Sequence, residues 1–526
     1  MINIIGAGLA GLSCAYNLAV SGVKCNLISI QPSERAQSVM AEGGINASLN
    51  TMGEHDTVQQ HIEDTMRGGV YLADPNAVKG LCENAPEIVK AFADLGVPFA
   101  FNENGIVERN FGGQKKKRTA YVKSSTGKML MTALIDEVRK YEVKGLVTRY
   151  SHHSFHKLNI ENGGCGGVVV YDEYSGKFSK LSGSVVLATG GMNGLFGEYT
   201  TGTRNNNSDV TARVFEQGVE LANLEFVQYH PTTIGIAGKR LLISEAARGE
   251  GGRLFVNRNG ERWYFMEEKY PELKNLMPRD VVSAEIDEVT ACGDCEKTVY
   301  LDMTVIKKDV WKNRLSDLRE QCIHYLDIDP EKTPVPVEPG VHYFMGGIYV
   351  DENHKTSLKN LYAAGECACQ YHGANRLGGN SLLGAVYGGK KTAKTIIREI
   401  SITEGTVNEV SGKVEKVTNE TAVFISETLR NSLTVMRDEK TMRKAELSLE
   451  NRLDGDINNA DRRRLNLALA MVKSAINRKE SRGAHKRNDC ADTLESFRKT
   501  TVARFNGKET EINMRDIPKL RIDNEI

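Results

Sequence analysis

The sequence predicts an α/β protein in which a parallel sheet is interrupted by an inserted region and followed by helices. Three observations predict this fold class. The chain opens with an apolar strand, a glycine-rich turn and a helix; two later apolar segments end in small residues; and the sequence becomes charged and helical after about residue 400. At 526 residues the chain exceeds what one hydrophobic core organises, so several domains are expected.

The composition is typical of a globular protein that no net charge draws to a partner. Lys plus Arg and Asp plus Glu both total 68, so we expect no binding to nucleic acid. The only CxxC, Cys292 to Cys295, lacks the second pair or the histidines of a zinc site, so no metal is expected. No apolar run reaches roughly 18 residues and the first strand begins at Ile2, which predicts a cytoplasmic protein without direct membrane insertion.

The first element carries glycines at the spacing of a dinucleotide-binding turn. Gly6, Gly8 and Gly11 form GxGxxG between the strand and the helix. The first glycine permits the tight turn, the second lets the backbone approach a pyrophosphate, and the third lets the helix pack on the strand. The next strand ends at Ser29, where an NAD-binding strand usually has a carboxylate, and this argues against NAD.

Two later segments favour FAD instead. SVVLATGG (184–191) and LKNLYAAGECA (358–368) each predict a buried strand of the same sheet that runs into glycine at the ligand. FAD is long enough to need such distributed contacts. Glu366 follows the second of these strands, and this position predicts a hydrogen bond to the sugar-alcohol chain of the cofactor.

A stretch of different character, roughly residues 229 to 340, separates the sheet segments. It ends in TPVPVEPG, which we interpret as a linker back to the sheet, and an insertion of this kind would cover the flavin as a lid. Beyond residue 400, apolar residues recur on one side of a predicted helix and indicate packing: Leu465, Leu469, Val472 and Ile476.

Eight motifs between residues 6 and 487 give a resemblance to a known family. They are, in order along the chain, MAEGGINA, EFVQYHPTT, SEAARGEGG, PRDVVS, VHYFMGGI, GECA, HGANRLGGNSLL and RKESRGAH. In this order they resemble the flavoprotein subunit of the succinate dehydrogenase and fumarate reductase family, whose nearest sibling is L-aspartate oxidase.

The resemblance implies a Rossmann-like FAD-binding domain with an inserted α+β capping domain, then a helical domain and a small C-terminal region. The expected bounds are 1–228 and 341–400 for the FAD-binding domain, 229–340 for the capping domain, 401–495 for the helical domain and 496–526 for the C-terminal region.

The resemblance also implies the residues of the site. Those expected to bind substrate are His230, Ser244, His342, Arg376 and Phe111, and those expected to be catalytic are Arg279, Glu245 and Arg248. Those expected to bind the cofactor are Gly6, Gly8, Ala10, Gly11, Ser29, Ser38, Gly43, Gly44, Ala188, Thr189, Gly190, Glu366, Arg376, Ser381 and Leu382. Arginine suits a four-carbon dianion because its planar fork binds a carboxylate at two points.

The implied reaction interconverts fumarate and succinate. Hydride passes between flavin N5 and one central carbon, and Arg279 exchanges a proton at the neighbouring carbon. Glu245 and Arg248, three residues apart on a helical turn, resemble the relay that carries this proton inward. Glu250 and Arg253, in the same charged stretch, receive no role.

One departure from the family concerns the cofactor link. Gln37 stands where the membrane-complex members have the histidine that bonds to the flavin, so non-covalent FAD and a preference for fumarate reduction are expected. L-Aspartate oxidase also lacks that histidine and remains the alternative. The resemblance further implies a possible iron-sulfur subunit as electron donor, through which the protein would lie peripheral to the inner membrane.

Overall fold

The computed structural model describes residues 1–399 and 404–521. A five-stranded parallel sheet organises the first half of the chain. In spatial order its strands are Leu361–Ala363, Ser184–Leu187, Ile2–Ile5, Cys25–Ser29 and Val147–Ser151. Both apolar segments predicted to belong to this sheet do so: Ser184–Leu187 pairs in parallel with the first strand, and Leu361–Ala363 pairs in parallel with Ser184–Leu187. The predicted α/β fold is confirmed.

Alternate residues of the first strand bury themselves on opposite faces of this sheet. Ile2 and Ile4 pack on one face against helices, and Ile5 packs on the other face against a second sheet. The helices of the first face are Leu9–Val20, Pro75–Asp94, Thr126–Val143 and Asn380–Glu399. The antiparallel sheet of the other face contains Val407–Val410, Phe178–Ser182, Gly164–Asp172 and His153–Glu161.

The chain between the parallel strands forms a six-stranded antiparallel sheet with its own core. In spatial order the strands are Lys239–Leu242, Val227–Ile236, Val335–Phe344, Cys295–Asp302, Arg253–Arg258 and Glu261–Trp263. The helices of this region are Ala246–Gly249, Phe265–Lys269, Arg279–Ala291, Lys308–Asn313 and Ser316–Leu326. We call this region, residues 227–344, the cap. The helix Arg279–Ala291 packs on its sheet and presents its first residue to the parallel sheet.

The interpretation of TPVPVEPG as a linker is wrong. Its last residues belong to the strand Val335–Phe344, which lies inside the cap sheet. The strand tolerates its prolines because Pro336 lies where only one neighbouring strand is paired, and Pro339 lies where the ladder to the other neighbour is interrupted. The strand Val335–Phe344 continues past residue 340, the predicted end of the capping domain. The expected domain bounds as a whole stay a prediction.

The C-terminal part is mainly helical. Its helices are Asn419–Ser432, Glu439–Leu453 and Asn459–Asn477, and a hairpin of Lys499–Phe505 and Thr510–Asp516 joins the short strands Leu221–Ala222, Gly347–Tyr349 and Ala368–Cys369 in one sheet. The stripe predicted to pack does pack, but Leu467 and Met471 are also buried, so the helix Asn459–Asn477 is covered on most sides. The expected bound at residues 400 and 401 and the end of the chain from 522 lie outside the described residues.

Shorter elements complete the description. The remaining α-helices are Val58–Gly68 and Asp209–Glu216, and the remaining paired segments are Ile45–Asn46, Phe101–Asn102, Gly105–Ile106, Glu108–Arg109, Thr119–Ala120, Met436–Arg437 and Lys486–Arg487. Across residues 1–399 and 404–521, no helix has both the length and the apolar character that crossing a bilayer requires.

Candidate active site

A cavity of about 690 Å³ lies at the carboxyl edge of the parallel sheet and reaches the cap. Its wall includes Gly6, Ala188 and Ala364, each of which follows a strand of that sheet, and Ser29, which ends another. Ligands of open α/β sheets bind at this edge, where side chains and turns of several strands meet. The cap closes the other side of the same cavity.

The glycine turn is shaped for close approach. Gly6 has a φ of +109°, and a Cβ there would lie 2.2 Å from the carbonyl oxygen of Ala188. A Cβ on Gly11 would lie 1.9 Å from the carbonyl oxygen of Gly6, so this glycine serves helix packing. A Cβ on Gly8 would lie 3.7 Å from its nearest neighbours, so the backbone of Gly8 is accessible at the N-terminus of the helix Leu9–Val20. Such a site suits a diphosphate.

The rest of this end of the cavity also fits a dinucleotide such as FAD. The hydroxyl of Thr189 is buried, and its contact within residues 1–399 and 404–521 is with the thiol of Cys367, a weak hydrogen-bonding group. Glu366 accepts one backbone hydrogen bond, from Phe344 N at 3.1 Å, and burial raises the pKa of its carboxyl to about 7. Both groups therefore have capacity for ligand hydroxyls or carbonyls.

The structure brings nearly all the predicted cofactor residues to this cavity, and their contacts with a cofactor remain predictions. Those in the wall are Gly6, Gly8, Ala10, Ser29, Ser38, Gly43, Gly44, Ala188, Thr189, Gly190, Glu366, Arg376, Ser381 and Leu382. Gly11 lies behind the turn. Gln37 also lines the cavity, where its Oε1 accepts the backbone N–H of Thr203 at 2.7 Å.

The cap end of the same cavity holds the predicted substrate residues. His230, Ser244, His342, Arg376 and Phe111 line it, together with the predicted catalytic residues Glu245 and Arg279. They come from separate elements: His230 and His342 from adjacent strands of the cap, Arg279 from the first position of the helix Arg279–Ala291, and Arg376 from the segment before the helix Asn380–Glu399. Arg248 lies behind Glu245, outside the wall.

Glu245 is bracketed by two arginines. Arg279 donates to its Oε2 through Nη2 at 2.6 Å and through Nε at 3.0 Å, and Arg248 Nη2 donates to its Oε1 at 3.2 Å. All three side chains are buried. Burial alone would raise the pKa of Glu245, but Arg279 and Arg248 outweigh it and lower this pKa to about 2. The relay candidates therefore form one connected, fully charged chain.

The two histidines are neutral members of the site. Burial and, next, the charge of Arg279 lower the pKa of both His230 and His342 well below the usual range. Their rings meet edge to face with centroids 5.1 Å apart. His342 Nδ1 lies 2.7 Å from the hydroxyl of Thr201, and His230 Nδ1 accepts the backbone N–H of Thr232 at 3.3 Å. Each ring is thus held in place with Nε2 available to a ligand.

Gln228 is a site residue that the sequence analysis missed. Its Oε1 accepts hydrogen bonds from both Arg279 Nη1 at 3.0 Å and Arg376 Nη2 at 3.1 Å. Its amide nitrogen donates to Asn375 Oδ1 at 2.8 Å, which fixes the orientation of the amide. Gln228 stands two residues before His230 on one strand, and residues at that spacing share a face, so this spacing was the available signal.

Two glycines enclose Glu245. Gly112 donates its backbone N–H to Glu245 Oε1 at 3.0 Å, and a Cβ at that position would lie 2.5 Å from the same oxygen. A Cβ at Gly378 would lie 3.1 Å from Glu245 Oε2 and 2.9 Å from Phe111 Cβ. The carboxylate therefore occupies a space that admits no further side chain on either side.

Two other charges, one in the SEAARGEGG stretch and one directly after it, pair away from the cavity. Glu250 binds Arg314 at 3.0 Å, and Arg253 binds Glu267 at 2.6 Å. Both pairs are partly exposed, so they contribute little to stability and nothing to the site. They provide comparison positions for Glu245 and Arg279.

Two families match the chain. The family described as FAD binding domain matches residues 2–382, and the family described as fumarate reductase flavoprotein C-term matches residues 459–522. Together they cover the parallel sheet, the cap and the end of the helical part.

Individual relatives agree with these families. The succinate dehydrogenase flavoprotein subunit of Bacillus subtilis is 35% identical over an alignment of 548 positions, which covers 96% of this chain and 93% of that protein. The 8-methylmenaquinol:fumarate reductase flavoprotein subunit of Wolinella succinogenes is 37% identical over 400 residues, which cover 74% of this chain and 63% of that protein. A solved quinol fumarate reductase of E. coli has a TM-score of 0.88 at 28% identity, covering 99% of this chain and 97% of that chain.

Proposed function

The chain belongs to the family of succinate dehydrogenase and fumarate reductase flavoproteins, and we propose that its site interconverts fumarate and succinate, with reduction of fumarate as the favoured direction. The family makes it an FAD-dependent oxidoreductase. The residue roles, the direction and the form of the cofactor are the parts that we propose.

The charge at the cap end of the cavity carries this proposal. Arg248, Arg279 and Arg376 are three buried cations, and Glu245 is the one carboxylate that pairs with any of them within the described parts of the chain. The neutral histidines add nothing. The site therefore has a surplus of two positive charges, which matches a C4-dicarboxylate, because buried charge is stable only when it is paired.

The cofactor end would hold FAD through backbone and neutral polar groups. Gly8 and the start of the helix Leu9–Val20 would bind its diphosphate, and Glu366 would accept a hydrogen bond from its sugar-alcohol chain. When bound, FAD supplies a hydride at N5 for one central carbon of the substrate. The chain's own residues supply the clamp, the exclusion of water and the proton.

Arg279 would deliver that proton. Its guanidinium faces the cavity on one side and Glu245 on the other, and Arg248 stands beyond Glu245 without touching the cavity. A proton relay needs this order, because the group that contacts substrate must be recharged from behind. Hydrogen bonds of 2.6 and 3.2 Å connect the three side chains.

The clamp would orient the substrate for this chemistry. Arg376 would bind one carboxylate, while His230, His342 and Ser244 would donate hydrogen bonds to the substrate as neutral groups, because a dicarboxylate only accepts them. Holding both ends of the alkene fixes the central bond between the hydride donor and Arg279, and such positioning supplies much of an enzyme's rate. Phe111 would close the wall beside Glu245.

We further propose that FAD is bound without a covalent link, because Gln37 offers an amide where a bond to the flavin needs a nucleophile. The amide oxygen is already engaged by Thr203 N. Precipitation of the protein with acid should release all of its yellow colour into the supernatant. Colour retained in the pellet would contradict the proposed role of this position.

An electron donor is also part of the proposal. Relatives of this chain are named as flavoprotein subunits, and we propose an iron-sulfur protein as the donor. Purification of the tagged chain from its own cells should bring a brown, iron-containing protein with it. Purification of the flavoprotein alone, with full turnover from a soluble dye and from no protein donor, would oppose this part.

The decisive experiment compares substrates on the purified flavoprotein. After anaerobic photoreduction, fumarate should restore the oxidised flavin spectrum within turnover times, and succinate should bleach the oxidised form more slowly. L-Aspartate should do neither, because its ammonium group would enter a site that already has surplus positive charge. Bleaching by L-aspartate, with no reoxidation by fumarate, would replace the proposed function with that of an L-aspartate oxidase.

A further inference from the structure

We propose that Tyr343 and His372 form a positioning pair that holds the guanidinium of Arg376 in place for a substrate carboxylate. This inference rests on the proposed function, since it concerns the arginine that would clamp the dicarboxylate. Neither residue was assigned a role by the sequence analysis. Tyr343 lines the cavity, and His372 lies behind it.

Arg376 needs support of this kind because its own polar contacts are few. Its Nη2 donates to Gln228 Oε1 at 3.1 Å, and its Nε is buried without a partner in the described residues. Within residues 1–399 and 404–521, no carboxylate forms an ion pair with it. Burial and the charge of Arg279 lower the pKa of Arg376 to about 9. Because the guanidinium of Arg376 has so few polar contacts, its position depends on the side chain against which it packs.

That surface is the ring of Tyr343. The Cζ atom of Arg376 lies 4.2 Å from the centroid of the ring, which is the geometry of a cation–π contact. Tyr343 is 5% exposed and comes from the central cap strand Val335–Phe344, directly after His342. The ring therefore stabilises the charge and covers one side of the guanidinium, which lines the cavity.

His372 fixes the ring in turn. The hydroxyl of Tyr343 lies 3.2 Å from His372 Nε2, and the two rings meet edge to face with centroids 5.4 Å apart. The hydroxyl also contacts Ser381. Burial and the charge of Arg376 lower the pKa of His372 to about 3, so this ring is neutral and adds no repulsion. The pair thus joins a strand of the cap to the segment that carries Arg376.

The test uses four variants of the flavin-loaded enzyme. Tyr343→Leu removes the ring, Tyr343→Phe removes only the hydroxyl, His372→Leu removes its partner, and His372→Gln restores a hydrogen-bonding group. Tyr371→Phe is the matched control, because it removes a buried tyrosine hydroxyl that contacts His354 outside the cavity. Turnover is expressed per bound flavin, so loss of folded protein does not enter the comparison.

We expect KM for fumarate to rise on the order of tenfold in Tyr343→Leu and about threefold in Tyr343→Phe and His372→Leu, with kcat within about twofold. His372→Gln and Tyr371→Phe should stay within about twofold of the wild type. The double variant Tyr343→Phe with His372→Leu should be no worse than either single variant, because both remove the same hydrogen bond.

Two results would overturn the inference: an unchanged KM in Tyr343→Leu, or an equal rise in Tyr371→Phe. Titration of succinate, followed by the flavin spectrum, separates this inference from the proposed reaction. If the wild type binds succinate without turnover and Tyr343→Leu weakens that binding, the reaction fails and the positioning role stands. If the wild type binds no dicarboxylate, the positioning role fails as well.

Discussion

Two of the carboxylates in the cavity wall, Glu245 and Glu366, have pKa values that move in opposite directions. Glu245, at the cap end, lies between Arg279 and Arg248, and they lower its pKa to about 2. Glu366, at the cofactor end, receives one backbone hydrogen bond, and burial raises its pKa to about 7. Both belong to one cavity wall. The difference lies in the partners that each carboxylate has within the protein: Glu245 pairs with two arginines, whereas Glu366 forms no ion pair within the described residues.

The two ends of the cavity are thus arranged for their ligands in different ways. The cap end has its charges built in, so an incoming dianion meets a fixed field that needs no rearrangement. The cofactor end presents a carboxylate and a hydroxyl that have few partners of their own, so a ligand would complete the hydrogen bonding of these groups. Substitutions at the two ends should accordingly differ in what they damage. The following changes test that expectation, from the largest effect to the smallest.

Arg279→Lys breaks the cap end most severely. Lysine keeps the charge but cannot form the two bonds to Glu245 and one to Gln228 that hold the guanidinium. Fumarate turnover should fall roughly 1000-fold while the protein stays folded and yellow. Arg253→Lys, in a partly exposed pair, is the control and should keep turnover within about twofold. Near-normal turnover of Arg279→Lys would remove Arg279 from the mechanism.

Glu245→Gln leaves two buried arginines without their counter-charge. Turnover should fall about 100-fold, and stability at pH 7 by about 3–5 kcal/mol. The folded-state pKa is depressed, so the charge of Glu245 stabilises the protein above pH 4.5 and this contribution is lost as the pH falls toward 2. Chemical unfolding of both proteins should therefore show a deficit that is smaller at pH 4 than at pH 7.

Glu250→Gln provides the comparison for that experiment. Glu250 lies five residues from Glu245 and pairs with the partly exposed Arg314. Its replacement should cost less than about 1 kcal/mol and leave turnover unchanged. If Glu245→Gln and Glu250→Gln lose equal stability, the buried charges around Glu245 stabilise the protein no more than a partly exposed ion pair does.

Glu366→Gln should change stability less than Glu245→Gln does, and with the opposite sign. The raised pKa means that the folded protein holds this proton between pH 4.5 and about 7, so stability falls as the pH rises through that window. Glutamine avoids the loss. Without FAD, the variant should be about 1–3 kcal/mol more stable than the wild type at pH 8 and equal to it at pH 4.5. A constant difference at both pH values would contradict the burial of this carboxyl.

Part of this architecture could be predicted from the sequence because its residues permit no alternative. Gly6 has a positive φ, and Gly11 lies so close to Gly6 that a Cβ would not fit, so only glycine suits either position. The glycine turn could therefore be recognised from the sequence. The parallel strands were predictable for a similar reason: a short apolar run that ends in small residues at the carboxyl edge has few other uses. Arginines within three of the eight motifs indicated the cap end of the cavity.

The rest depends on tertiary structure that local patterns do not contain. Gln228 is a neutral amide whose one sequence signal is its spacing from His230, and its role appears only when the cap brings Arg279 beside Arg376. The prolines of TPVPVEPG indicated a linker because their cost to a strand depends on register, which the sequence does not display. Gly112 contributes a backbone N–H, and the sequence does not indicate such donors, because every residue type except proline has one.

The enclosure of Glu245 by two glycines has a consequence for how this protein tolerates variation. In a library that samples every substitution, Gly112 and Gly378 should be as intolerant as the arginines, although neither has a side chain with which to bind anything. Their intolerance reflects volume, since an added methyl group would displace the carboxylate. A map of mutational sensitivity would therefore outline the space around Glu245 as clearly as the charged residues themselves.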